Sequence, residues 1–170
     1  MPKNNLMLAV FSLFGAALLW AIGLAPSHAY TYNSYTVDDL SVTNSSTTAG
    51  ATNNLTVTFT VPDNMASGLS TGGSLSLSTP YLYRYSGGSY TSDYLDIGSA
   101  TISSSQLTVN YQSSNYVSFT PQAAVTAGST VTITITGAVN PESIEGTGSF
   151  SIYGSEYSSS GGYYNWFWGS

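Results

Sequence analysis

Carboxylates are almost the only side chains of this 170-residue sequence that can act as acids, bases or metal ligands. Two carboxylates can catalyse glycoside hydrolysis or aspartic-type peptide hydrolysis. They can also bind calcium, which takes several oxygen ligands from acids, amides and carbonyls. A third alternative is that these acids only keep the protein soluble. The local pairs are Asp38 with Asp39, Asp93 with Asp96, and Glu142 with Glu145.

Asp93 and Asp96 are the best candidates for a calcium site, with Asp63 or Glu142 contributed from a neighbouring loop. Calcium prefers such a set of hard oxygen ligands, but the sequence contains no EF-hand or repeat-type calcium motif. We therefore expect structural calcium as the only candidate cofactor.

Basic and nucleophilic residues are nearly absent. The chain has two Lys and Arg residues in total, one His and no Cys. A Ser-His-Asp triad, a Cys-His pair and an ordinary zinc site therefore lack their residues in any chain that has lost His28. Two basic residues do not neutralise a phosphate backbone, which excludes a nucleic-acid partner. The composition predicts a protein that is not an enzyme and binds no small-molecule cofactor.

Aromatic residues concentrate at the C-terminal end, where residues 157–170 form a predicted tail. A Gly/Ser stretch at 158–162 precedes an aromatic cluster. Such a segment can be a flexible arm with an exposed contact site. It can also be the last strand of the sheet, or a platform on which sugars stack. The candidate contact residues are Tyr163, Tyr164, Trp166, Phe167 and Trp168.

The segment after residue 29 has a similar character, with Tyr30, Tyr32 and Tyr35 within six positions. A short extended arm of this kind can add a strand to the sheet of a neighbouring copy. Repeated head to tail, such a contact does not close and produces a fibre. The alternative is that the segment is the first strand of its own sheet.

Period-two alternation predicts strands throughout residues 30–156. The clearest are 55–61 and 131–136, in which apolar residues alternate with Thr. A Gly-containing turn precedes each of these strands, at Gly50 and Gly128, where a positive φ is expected. About eight or nine strands of this spacing predict an antiparallel β-sandwich, either Ig-like or a jelly roll. The weaker predicted strands are 36–42, 74–78, 81–85, 99–102, 106–111, 116–120 and 149–153.

Four segments carry a resemblance to a known kind of module. They read TTAGATNNLTVTFTVP (47–62), GGSLSLSTP (72–80), VSFTPQAAVTAGSTVTITITGAVNP (117–141) and GTGSFSIYGS (146–155). Together they resemble the Thr-rich secreted β-sandwich modules of prokaryotic surface-layer, adhesive and fibre-forming proteins. The resemblance spans about residues 42–154. It implies a structural or adhesive role, and the module has no catalytic motif to transfer.

The first 29 residues read as a secretory signal peptide with a hydrophobic helix. Lys3 precedes an apolar run over 6–24, and Ser27-His28-Ala29 places small residues at −3 and −1 of a cut after Ala29. A run of this length also fits a retained membrane anchor. Either alternative predicts a secreted or cell-surface protein. Asn44 and Asn54 then begin N-glycosylation patterns.

These features predict an extracellular structural or adhesive surface protein, with a self-assembling filament or biofilm-matrix subunit as the specific form. The expected partners are other copies of the chain or other surface proteins. One alternative is a carbohydrate-binding surface module that contacts surface polysaccharide through the C-terminal aromatic residues. Another is a carboxylate-dependent hydrolase.

Overall fold

Strands account for all the regular structure in the described part of the protein. The computed structural model describes residues 31–37, 39–86, 88–142, 148–158 and 163–170. The predicted signal segment and Tyr30 lie outside these residues, as do Asp38 and Glu145. The twelve strands of the described residues are β1 (Thr31–Thr36), β2 (Ser41–Asn44), β3 (Thr52–Thr60), β4 (Ser74–Ser78), β5 (Tyr81–Ser86), β6 (Ser89–Tyr94), β7 (Thr101–Ser103), β8 (Leu107–Ser113), β9 (Tyr116–Pro121), β10 (Thr130–Val139), β11 (Ser151–Ser158) and β12 (Tyr163–Gly169).

The strands form three sheets. A six-stranded sheet has the order β1-β12-β11-β4-β9-β8, and a four-stranded sheet has the order β2-β3-β10-β7. Strands β5 and β6 form a separate hairpin. Neighbouring strands are antiparallel, with the exception of β1 and β12, which are parallel. The prediction of an all-β fold with antiparallel strands is therefore confirmed for the described residues.

One buried apolar cluster joins the two larger sheets. In β3 and β10 the residues that alternate with Thr point into it, as the pattern predicts, with Val57 opposite Ile133 in the register. From the six-stranded sheet come Leu75, Phe119 and Phe167. The Phe59 and Phe167 rings, one from each sheet, stack with centroids 6.3 Å apart. Burying a side chain of this size contributes roughly 1.5–3 kcal/mol, so this shared core stabilises a sandwich-like arrangement.

The turns before β3 and β10 behave as the sequence predicts. Gly50 has a φ of 67° and Gly128 a φ of 75°. Both values lie in the left-handed region, where a Cβ atom is strained and Gly is not. At Gly128 an added Cβ would also lie 2.6 Å from the carboxylate of Asp63. The Asp63 side chain thus packs against the turn that leads into β10.

The predicted strand at 36–42 is wrong, because the chain changes sheets within it. Strand β1 ends at Thr36 in the six-stranded sheet, and β2 begins at Ser41 in the other. Between them Val37 turns into the core, and its N–H donates to the Trp168 carbonyl at 2.7 Å. The prediction of about eight or nine strands is also too low, since β1, β6 and β12 were not counted.

Candidate interaction surface on the terminal strands

The aromatic residues of the two chain ends lie side by side in one sheet. Strand β1 forms the edge of the six-stranded sheet and pairs along its whole length with β12. Tyr32 is the register partner of Tyr164, and Thr36 is the partner of Trp168. The sequence presents these ends as two separate features, whereas the structure joins them into one surface.

Strand β12 divides its aromatic residues between two faces. Trp168 is 47% exposed, and Tyr164 and Trp166 are half-buried on the same outer face. Asn165 and Phe167 point the other way and are buried. Of the two structural alternatives for the C-terminal segment, the chain adopts the strand. Phe167 therefore belongs to the core rather than to a contact surface.

The outer residues of β1, β12 and β11 form a continuous set of ring contacts, which we call the aromatic face. The Tyr164 and Trp166 rings are 4.6 Å apart, and Tyr153 meets Trp166 edge-on at 5.6 Å. Tyr164 also lies 6.2 Å from Tyr32 and 5.9 Å from Tyr157. Such distances are typical of paired aromatic rings. The aromatic face consists of the five rings joined by these contacts, Tyr32, Tyr153, Tyr157, Tyr164 and Trp166, together with Trp168, the exposed register partner of Tyr153.

Two of these six residues, Tyr153 and Tyr157, were not among the predicted contact residues. Their spacing of four residues places both on one face of a strand, a signal that the sequence contains. The prediction ended the strand at Tyr153, whereas β11 continues to Ser158. Burial raises the pKa of the Tyr153 hydroxyl, and the nearby Tyr164 adds to this effect. Tyr153 nevertheless keeps 39% of its surface open to water.

A cleft of about 350 Å³ opens on the aromatic face. Its lining combines rings with small polar groups from β1, β11 and β12. Within the six strands of this sheet the only charged residue is Glu156, which points inward and is 4% exposed. The outer surface therefore offers aromatic rings, hydroxyls and amides without charge. The lining residues are Tyr32, Asn33, Ser34, Tyr153, Trp166 and Trp168.

Comparison with protein-family models, with characterised proteins and with solved structures finds no match to this chain. The resemblance to surface-layer, adhesive and fibre-forming modules thus stays a prediction. In the part of the chain that the structure describes, no helix has the length and apolar character needed to cross a membrane.

A row of polar residues lies beneath the aromatic face, on its inner side. Asn33 donates to the Asn165 side-chain oxygen at 2.8 Å, and Asn165 donates to the Ser67 hydroxyl at 3.0 Å. The Ser67 hydroxyl donates in turn to a carboxylate oxygen of Glu156 at 3.0 Å. Buried polar groups need such partners, because an unpaired one costs about 1–3 kcal/mol. The row links β1, β12 and β11 at a single register position.

The carboxylates of the candidate calcium site are not all brought together. Asp63 lies beside Gly128, before β10 begins, whereas Asp96 pairs with Val139 at the end of β10. The Asp96 carboxylate accepts the N–H of Gly98 at 2.8 Å, and that of Asp93 accepts the N–H of Tyr94. Among the described residues, no group of three or more His, Cys, Asp or Glu side chains could hold a metal ion.

The two candidate glycosylation residues lie in the four-stranded sheet. Asn44 ends β2 and Asn54 lies within β3, and both side chains are exposed. The Asn54 side-chain oxygen accepts the N–H of Gly137 at 3.1 Å. Their modification stays a prediction.

Asp39 anchors the segment that connects β1 to β2. Its carboxylate accepts the Thr60 hydroxyl and, at 2.9 Å, the Thr60 N–H. The Thr60 hydroxyl is the main reason that the pKa of Asp39 lies below its ordinary value. The side chain is exposed, so we expect this anchor to contribute about 1 kcal/mol or less.

We expect this contribution to depend on pH. Because the folded-state pKa is lowered, the stabilisation is complete above the unfolded-state pKa of about 4 and is lost as the pH falls through the folded value. Asp39→Asn keeps an acceptor for the Thr60 N–H but removes the charge. Thermal unfolding from about pH 7 to about pH 2 should show a difference between the two proteins that shrinks below about pH 4. A difference that stays constant over this range would contradict the assignment.

Proposed function

We propose that this protein is an exported structural or adhesive surface protein whose copies assemble by exchanging strand β1. In this assembly β1 of one copy pairs with β12 of the next. Because each copy passes its strand to the next copy and not back to the one from which it accepts a strand, the contact is head to tail, does not close on itself and produces a filament. The protein acts through contact rather than catalysis and requires no cofactor.

The position of β1 carries this proposal. It is a six-residue strand at the edge of its sheet, and among the described strands β12 is its single neighbour. Tyr32 is 71% exposed, and none of the six side chains is fully buried. Removing β1 from its own sheet uncovers apolar surface beneath Tyr35, the half-buried β1 side chain that packs against the core. It also leaves the backbone groups of β12 without partners, and a second copy can supply identical ones.

The contacts that hold β1 are the same whichever copy provides it. They are the parallel backbone pairing, the bond from Asn33 to Asn165 and the bond from the Val37 N–H to Trp168. Asn33 and Asn165 are register partners, so a slip by one residue would separate their amides. This polar pair gives the incoming strand one preferred register.

Low charge supports close packing of copies. Only 6% of the residues of the full sequence are charged, which limits repulsion between like copies. We also propose that the scaffold is an antiparallel β-sandwich of the Ig-like or jelly-roll kind. The apolar cluster shared by the two larger sheets supports it. Such a rigid scaffold keeps β1 and β12 at a fixed edge.

Electron microscopy of a chain that begins at Tyr30 tests the assembly. We expect filaments from this chain and none from a chain that begins at Val37, with the circular dichroism of a folded β-protein in both. Filaments from the shortened chain would overturn the proposal.

A cysteine pair keeps the test decisive if the shortened chain does not fold. Thr36→Cys with Trp168→Cys places two thiols at register partners, in a sequence that has no other cysteine. Neighbouring strands bring such residues within disulfide distance. If β1 is exchanged, oxidation of the assembled protein should give a ladder of covalent oligomers on a non-reducing denaturing gel.

The control pair is Ser78→Cys with Tyr116→Cys, which are register partners in the neighbouring strands β4 and β9. These strands are not proposed to exchange, so their disulfide should form within one chain and give a monomer band. A monomer band for both pairs would mean that β1 stays in its own chain, and exchange would be ruled out.

A further inference from the structure

We propose that the aromatic face is a binding site for a neutral polysaccharide chain. This inference goes beyond assembly and does not rest on strand exchange, because β1 completes the same surface whether it comes from the same copy or from a neighbour.

The rings of the aromatic face match the apolar side of a sugar. A pyranose ring presents C–H groups on its faces and hydroxyls around its edge, so an aromatic ring can cover a face while polar groups bind the edge. Tyr164, Trp166 and Trp168 follow one another at every second position of β12. Residues with this spacing have Cα atoms about 7 Å apart along a strand, and the Tyr164 and Trp166 rings lean together until their centroids are 4.6 Å apart, a distance of the order of one sugar unit. The three positions therefore form a track along which an extended chain can stack.

A band of serines lies beside this track and can bind sugar hydroxyls. On the outer face of β4 these are Ser74, Ser76 and Ser78, next to Ser151 and Ser155 of β11. Ser74 and Ser155 already share a hydrogen bond at 2.9 Å. A hydroxyl both donates and accepts, so it can pair with a sugar hydroxyl in either direction. The surface thus combines stacking rings with hydroxyls, as a glycan requires.

The absence of charge on this outer face selects the class of glycan. The strands of this sheet contain no Lys or Arg to pair with a uronate or sulfate group, and the whole chain has a net charge of −6. An acidic polysaccharide would therefore bring its charged groups to a surface that offers them no counter-charge. A neutral polysaccharide has no charged group that needs a counter-charge, and its hydroxyls can form hydrogen bonds with the serine band.

A second copy of the protein is the competing occupant, and the serine band argues against it. Interfaces between proteins are enriched in aromatic residues but depleted in Ser relative to the rest of the surface. Here the serines adjoin the rings on a single sheet face. A sugar chain can contact both parts of this surface, because its apolar ring faces stack on the aromatic rings and its hydroxyls bind the serines.

Titration of the chain that begins at Tyr30 with soluble hexasaccharides tests the site. The probes are β-1,4-linked glucose and N-acetylglucosamine hexamers, with a polygalacturonate oligomer as the charged comparison. We expect calorimetry to show binding of at least one neutral hexamer, accompanied by a change in tryptophan fluorescence. The charged oligomer should not bind. Failure of both neutral hexamers to bind at millimolar concentration would overturn the proposal, and so would equal binding of the charged oligomer.

A pair of double variants locates the site on the sheet. Tyr153→Ala with Trp168→Ala removes two exposed rings of the aromatic face and should weaken binding about tenfold or more. The control is Tyr111→Ala with Tyr116→Ala, a second exposed ring pair 6.3 Å apart on the same face, in β8 and β9 at the opposite edge of the sheet. The control should bind as the parent does. Equal loss in both variants would overturn the assignment.

Sedimentation of the same three proteins, the parent chain and the two double variants, separates this inference from self-association. If the rings instead contact a second copy, the first double variant will lose oligomers that form without sugar, and no hexamer will bind. That result would overturn the glycan site while leaving strand exchange to be judged by the cysteine pair.

Discussion

Replacing Phe167 with alanine is expected to lower the free energy of unfolding by about 3–5 kcal/mol. The ring is completely buried and stacks on Phe59 of the opposite sheet. It also covers Gly154, its register partner in β11, where an added Cβ would lie 2.0 Å from the ring. The ring thus fills the space that the glycine leaves and joins β12, β11 and β3. Alanine would open a cavity at this junction.

Urea unfolding of the parent and of Phe167→Ala measures this loss as a change in midpoint at constant slope. Trp168→Ala is the matched control, because it removes the neighbouring ring on the exposed side of the same strand. We expect a cost of about 1 kcal/mol or less for it. Equal small effects of both substitutions would mean that the C-terminal segment is a free arm rather than a strand.

The sequence predicts strands well where one face is apolar and the other carries small hydroxyls. Strand β4 matches its predicted range residue for residue, β10 contains its range, and β3 contains all of its range except Val61. In these strands Leu, Val, Ile or Phe alternates with Ser or Thr, so burial of one face determines both type and register. The local pattern is sufficient because it agrees with the packing that the sheet needs.

The same signal is missing from β12, although it is as regular a strand. Its outer face carries Tyr164, Trp166 and Trp168, while its inner face carries Asn165 and Phe167. Aromatic residues on both faces, with an amide among those that point inward, remove the alternation on which the prediction depends. Only the pairing of β12 with β1 and β11 determines which of its faces is buried and which is exposed.

Four of the six residues of the aromatic face are among the predicted contact residues, but the sequence does not predict how they are arranged. The aromatic character of both chain ends is evident from composition, yet Tyr32 and Tyr164 are register partners across 132 positions of sequence. A parallel pairing of the first and last strands is a long-range choice that no local pattern specifies. Tyr153 and Tyr157 join the surface for the same reason, because they lie on β11, which pairs with β12.

The buried asparagines of the four-stranded sheet show the same limit. Asn53 and Asn54 are adjacent and identical in type, but only Asn53 is buried. Its side-chain oxygen accepts the N–H groups of Ser45 and Ser46 and the Ser45 hydroxyl. Its side-chain nitrogen donates to Asn140 at 2.9 Å. Composition and motif direct attention to Asn54, which begins a glycosylation pattern, whereas Asn53 holds the loop between β2 and β3.

Asn53→Ala should therefore lower the free energy of unfolding by about 2–4 kcal/mol, because it leaves several groups without their partner, and a buried unpaired group costs about 1–3 kcal/mol. Asn140 would still hold part of the loop through the carbonyls of Ser46 and Thr48, so the loss should stay below the sum for all the groups. Asn54→Ala is the control, since its exposed side chain accepts one bond from Gly137 and should cost about 1 kcal/mol or less. Urea unfolding of an unglycosylated preparation compares the two. If Asn54→Ala lowers the free energy of unfolding as much as Asn53→Ala does, the buried Asn53 side chain is not what stabilises the loop.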